Sequence, residues 1–282
     1  MKWRNMAAGA MLLLGCSFAN AAQDIGQAVT VKNDVRGQLD AVVRRLAAGT
    51  PVAADESVIT GSASATLLRF LDNTQLNVGA ASTVVLDRFV FNPNGGAKDA
   101  AINVSKGAMR FITGNSNPNN FVISTQVATI GIRGTDILVI CDPAKGCALV
   151  VDKGVIGVCP KRNNVVPARA GRSCPGYFEL NITNNFAFID LNGTVTGPQT
   201  ISQSAIQGAQ AAIAGGQAIN LAGLLLPAGT QFAALPGVTA GTLPVVGLVG
   251  VAFTIGVVAT QNDGNNRPVT GNDGGEPPLG NQ

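Results

Sequence analysis

Histidine is missing from all 282 residues. Its absence removes the commonest general base and the commonest metal ligand. Serine–histidine and cysteine–histidine couples go with it. Charge is scarce as well. Asp, Glu, Lys and Arg make up 12% of the chain, against ~25% in an ordinary globular domain. No GxxxxGK[ST] phosphate loop occurs. Asp72, Asp87, Asp136, Asp152 and Glu179 are scattered, which suits turn and surface roles better than a catalytic carboxylate pair. The sequence therefore assigns no catalytic residue, no cofactor and no metal.

What is present begins with a leader. Residues 1–22 open with Lys2 and Arg4, continue through an apolar core over 7–14, and reach Ala19-Asn20-Ala21. That order reads as an export signal, with cleavage expected after Ala21 or Ala22. Leu13-Leu14-Gly15-Cys16 offers an alternative, a lipoprotein signal with Cys16 lipidated. Cleavage removes two positive charges, so 19 basic and 16 acidic residues become 17 and 16. A net charge of +1 leaves no electrostatic footprint for nucleic acid.

Four cysteines remain: Cys141, Cys147, Cys159 and Cys174. An even number in an exported chain favours disulfides, and four allow three connectivities. The expected pairs are nearest neighbours, Cys141–Cys147 and Cys159–Cys174. The first would close a hairpin loop whose Asp142-Pro143 and Lys145-Gly146 are turn residues. A four-thiolate zinc site is the alternative, but neither pair has C-x-x-C spacing.

Residues 23–51 read as a polar entry segment, with a short helix over 42–48 exposing Arg44 and Arg45. From 52 to 189 the pattern is a series of strands. Turn signals recur every ~8–12 residues, as in an all-β sandwich, barrel or solenoid. Lys106-Gly107 is expected to turn the chain. Residues 127–139 are the most informative stretch. Ala128, Ile130 and Ile132 alternate with Thr129, Gly131 and Arg133, the period of a half-buried strand. Gly131 and Gly134 permit a bend. After the break, residues 137–140 are apolar on both faces, as in a strand covered on both sides. Arg133 and Asp136 read either as structural ion-pair or turn contacts or as an anion or partner contact.

The ordered set of motifs resembles the FecR domain family. It comprises Gly61-Ser62-Ala63-Ser64 before residues 67–71, then Asp72-Asn73-Thr74-Gln75-Leu76. Residues 102–107 and Met109-Arg110-Phe111 follow. Next come Phe121-Val122-Ile123-Ser124-Thr125 and the family motif Ile132, Arg133, Gly134 and Thr135. The strand pair over 150–158 and Ala168-Arg169-Ala170-Gly171 complete it. The resemblance covers roughly 52–180. Asn73 stands where the family usually has glycine, and asparagine tolerates the same left-handed turn. The family's regulators resemble one another in a cytoplasmic N-terminal region and an inner-membrane helix, and they relay an iron-uptake signal to a sigma factor. The export signal read here leaves no such region, so the resemblance implies the extracytoplasmic β-module alone.

The last third carries no charge between 191 and 262. Gln203, Gln207, Gln210, Gln217 and Asn220 fall on one stripe of an expected helix over 202–226, ended by Pro227. That helix would either associate with partners or a membrane surface, or cap the β-domain. Residues 243–260 are 18 uncharged residues, long enough to span hydrocarbon at roughly 27 Å as a helix, or to pack as an oligomerisation element. Residues 261–282 read as a disordered polar tail.

The expectation is therefore an all-β fold, an antiparallel β-sandwich or flattened β-solenoid, followed by a C-terminal apolar helical region. Its parts are 1–22 leader, 23–51 entry segment, 52–189 β-domain, 190–242 uncharged helix and linker, 243–260 apolar segment and 261–282 tail. The expected role is a non-enzymatic exported envelope protein of a Gram-negative bacterium, in the periplasm or outer envelope. It would act by contact with an envelope protein or glycan, with membrane contact or homo-oligomer formation through 243–260. The alternative is an extracytoplasmic signalling module acting through a partner membrane protein.

Overall fold

The computed structural model describes residues 23–91 and 96–219, with backbone alone at 90 and 91. Alternating sequences along this span become paired strands. They are β1 (Asp24–Lys32), β2 (Val35–Leu39), β3 (Val42–Arg45), β4 (Pro51–Ala53), β5 (Ser57–Thr60), β6 (Ala65–Phe70), β7 (Gln75–Val78), β8 (Thr83–Phe91), β9 (Ala97–Ile112), β10 (Phe121–Thr125), β11 (Ala128–Asp142), β12 (Gly146–Pro160), β13 (Phe178–Asn181), β14 (Phe186–Asp190) and β15 (Val195–Gln199). A single helix, α1 (Gln203–Gly215), follows them among the described residues.

Three long strands form the spine. The first part of β9 pairs with β8 on one side and β10 on the other. Its last residues pair instead with β7 and β11. In the same way β11 runs beside β10 up to Gly131 and beside β9 from Asp136. Strand β12 follows β11 along almost its whole length, with the register shifting around Arg133 and Asp136. Both strands bend there at a glycine with positive φ, Gly134 at +72° and Gly154 at +81°. A Cβ on Gly154 would collide with the carbonyl of Gly134, so the two backbones cross at a distance no side chain permits.

The result is one continuous mixed sheet of fifteen strands that does not close. The fold is predominantly β, as expected, but the sheet is mixed where an antiparallel one was expected. Strand β10 lies parallel to β9 over Phe121–Thr125, because the polar loop before it carries the chain back to the start of β9 rather than around a hairpin. Both parts of the sheet feed one core. Ile25, Leu68, Leu76 and Phe111 meet Val35, Val58, Ile102 and Ile130 there. The rings of Phe111 and Phe121 lie 5.3 Å apart within it.

A second apolar cluster lies on the far side of the spine. Leu138, Ile140, Ala148, Val150 and Phe186 are covered by Ile206, Ala209 and Ile213 of α1. Residues 137–140 are thus buried on both faces, as their unbroken apolar run implied. Helix α1 starts where the Ser202 hydroxyl accepts from the Ala205 N–H, and it ends at Gly216 in the left-handed region. It is shorter than expected: Gly216 stops it, leaving Gln217 beyond the helix.

Other expectations are corrected as well. Residues 42–45 form β3 rather than a helix, since Val42 and Val43 are β-branched and pair with β2. The entry segment is part of the sheet: β1 pairs with β6 and β2 with β5. Lys106-Gly107 bends β9 without ending it. Residues 148–151 and 155–158 are one strand, and the sheet runs past 189 into β15. The leader with Cys16, residues 220–226, the apolar segment 243–260 and the tail 261–282 lie outside the described residues.

Candidate functional site

The bend in β11 sends its charged residues to opposite sides. Arg133 is half-exposed, and its guanidinium donates to Glu179 Oε1 at 2.8 Å and to the Tyr177 hydroxyl at 3.0 Å. Tyr177 donates to the same carboxylate oxygen at 2.6 Å. Arg172 stands 3.7 Å from it. The hydrogen bond from Tyr177 is the main reason the Glu179 carboxyl sits below its ordinary range; Arg133 and Arg172 add to it against partial burial. The Tyr177 phenol moves up, first through desolvation and then through its bond to Glu179. Beside this cluster lies a cleft of about 200 Å³ bounded by Asn119, Phe121, Val122, Arg133 and Arg169.

Asp136 turns the other way and is almost wholly buried. Arg110 of β9, which alternates with the core residues Met109 and Phe111 and so faces the other side of the strand, donates to the two Asp136 oxygens at 2.8 and 2.5 Å. That bidentate geometry is the strong form of an ion pair, and it raises the Arg110 pKa against the cost of burial. The field of Arg110 also reaches Asp152 on β12. Burial raises the Asp152 pKa, but amide donors from Gln203 at 2.8 Å and Gln210 at 2.9 Å outweigh it, so the carboxyl sits below its ordinary range. Gln203 and Gln210 are seven residues apart, two helical turns, and so share one face of α1. The amide stripe therefore seals the helix to the sheet through these two residues. Gln207 is exposed.

Both expected disulfides are present. Cys141 and Cys147 are direct cross-strand partners on β11 and β12. Cys159 and Cys174 close the loop between β12 and β13. Asn73 adopts φ +65°, the left-handed turn expected where glycine is usual. Of the motif residues, Ile132 is buried in the core, Gly134 makes the bend, and Thr135 is buried with its hydroxyl unpartnered among the described residues. Arg133 alone among the four reaches the surface cluster. Sequence reasoning missed Tyr177 and Glu179 as its partners, Arg110 as the partner of Asp136, and the approach of Arg172 to Glu179 and of α1 to Asp152. The seven-residue spacing of Gln203 and Gln210 was the available signal for Asp152. Nothing local pointed to Tyr177.

Chemically, this surface can present guanidinium groups, amides and one phenol to a ligand. Among the described residues no group of three or more His, Cys, Asp or Glu side chains could hold a metal ion.

Comparison with known proteins bears on the same region. Residues 56–157 match the model of the FecR protein family, so the chain carries a FecR domain spanning β5 to β12. No curated protein matches the chain. Two crystal structures of a Parabacteroides distasonis protein described as an anti-sigma factor are similar to it. Each is 13% identical with a TM-score of 0.38 and covers 54% of this chain, and 62% and 63% of theirs.

Proposed function

We propose that this FecR-domain chain is a non-enzymatic contact module of the cell envelope, working outside the cytoplasm. The observation that carries the reading is the pair of disulfides built into a FecR-matching sheet. Disulfides persist in oxidising compartments, and here they brace a hairpin end and a surface loop. The export signal over 1–22 supports the same location, with lipidation at Cys16 as the alternative route. Residues 243–260 would anchor the module to a membrane or join copies of it. The binding partner is an envelope protein or glycan met by loops and strand edges.

Affinity recovery from intact envelopes tests the reading. A partner retained with the full chain after washing supports it. Recovery of the chain alone, wholly in the soluble periplasm through carbonate and detergent washes, would contradict both contact and anchor.

A second reading has its own support in the FecR match. The module would relay a signal through a partner membrane protein that reaches the cytoplasm. A sigma factor encoded beside it, with target transcription changing on deletion of this chain, would favour that role.

A further inference from the structure

Residues 160–177 hold Lys161, Arg162, Arg169 and Arg172 and no acidic residue. Their four positive charges exceed the net charge of the whole chain, +3. Elsewhere five of the seven described arginines face carboxylates: Arg36 with Asp34, Arg44 with Glu56, Arg88 with Asp99, Arg110 with Asp136 and Arg133 with Glu179. Among the described residues Lys161, Arg162 and Arg169 form no ion pair, and Arg172 has only the longer contact to a carboxylate already shared.

The loop is held in shape. The disulfide Cys159–Cys174 closes it. Asn163 and Asn164 take φ of 48° and 60°, and Arg162 and Val165 exchange backbone hydrogen bonds around them at 3.0 and 2.8 Å. That is a tight hairpin turn of the kind asparagine favours. The Thr129 hydroxyl donates to the Pro167 carbonyl, and the Cys174 N–H donates to the Gly171 carbonyl at 2.9 Å. At the hairpin Val165 is 65% exposed beside Arg162. Lys161, Arg162 and Asn163 border a cleft of about 400 Å³ with Asn192, and Arg169 borders the smaller cleft beside Arg133.

We propose that this loop is the docking surface for an acidic segment of a partner protein. Guanidinium groups pair with carboxylates bidentately. One exposed pair contributes little, but several on a pre-ordered loop steer association and lose little freedom on binding. The exposed valine and the bordering clefts favour a polypeptide, with apolar side chains between its acids, over a uniformly polar polysaccharide. The proposal rests on the contact reading and specifies its surface.

The test uses the purified full chain and a fluorescein-labelled peptide of about eight residues that combines glutamate and leucine, followed by anisotropy at low salt. Lys161→Glu with Arg162→Glu and Arg169→Glu should weaken binding roughly tenfold or more. Arg69→Glu with Lys98→Glu, two exposed positions on β6 and β9, should change it less than about twofold. Far-UV circular dichroism confirms that each variant keeps its fold. Equal weakening in both variants, or no binding by the parent chain, overturns the proposal. Tighter binding of a sulfated polysaccharide than of the peptide overturns it in favour of a glycan. A partner recovered from envelopes equally well by the loop variant sinks this surface and leaves the contact reading standing.

Discussion

Arg133 and Asp136 are three residues apart and serve different structures. The bend between them sends one to a surface cluster with Tyr177 and the other to a buried pair with Arg110. Tyr177 offers a direct readout, because it is the one tyrosine in the chain. Desolvation and its bond to Glu179 raise its pKa, so it should ionise above its ordinary 10.0. A folded pKa raised above the unfolded one contributes stability below the ordinary value, and that contribution is lost as pH rises through the folded value. Absorbance near 295 nm should therefore give a midpoint above 10.0, and Glu179→Gln should lower it. A midpoint at the ordinary value would remove the cluster from the account.

At the scale of elements, the crossing of β11 and β12 sets a ranking. Gly134→Ala meets only a left-handed backbone, since its Cβ would lie 3.8 Å from Pro118, and should cost roughly 1–2 kcal/mol. Gly154→Ala adds a collision with the Gly134 carbonyl and should cost clearly more. Urea midpoints of the two variants check the order. Helix α1 makes a second prediction. Asp152→Asn weakens the two glutamine bonds and should cost about 1 kcal/mol, or about 2–4 °C in Tm. The Asp152 pKa is lowered by folding. Its contribution is present above the ordinary carboxylate value and lost as pH falls through the folded one. The gap between parent and variant should accordingly shrink on going from about pH 6 to about pH 3. A gap that stays constant would mean that the carboxylate does not hold the helix.

These elements also show what the sequence made legible. Alternation located most strands, and the apolar run over 137–140 announced its two-sided burial, because side-chain period and burial are local properties. Neighbouring cysteines were enough for both disulfides. The parallel β9–β10 pair and the passage of β9, β11 and β12 between neighbours were not legible, since pairing partners are set by contacts far apart in the chain. The misread helix at 42–48 has the same origin. Arg44 looked like one of two exposed charges, yet it reaches Glu56, which is fully buried and also accepts from the Ala53 N–H. Arg133 was singled out from the sequence, but its partners lie over forty residues away and nothing near it named them.

For the whole molecule, the first strands are structural members. Ile25, Ala28, Val35 and Leu46 lie in the main core, and among the described residues Arg44 is the one cation paired with the buried Glu56. Removing one partner of a buried pair costs about 3–5 kcal/mol, comparable to much of a domain's stability. A chain beginning at residue 52 should therefore fail to fold, while one beginning at residue 23 should show a cooperative urea transition. Folding of the shorter chain would separate β1–β3 from the unit. The same unit then presents the positively charged loop outward from a sheet braced by two disulfides, which is the arrangement expected of a part that works by contact.

The contact claim is tested most directly by photo-crosslinking in intact cells. A photoreactive residue replaces Val165 at the loop, with others at the exposed Val42 and Ile182. The account predicts a discrete higher-mass adduct from Val165. Absence of any adduct from all three positions, in cells where the chain is exported and its disulfides are formed, would contradict it.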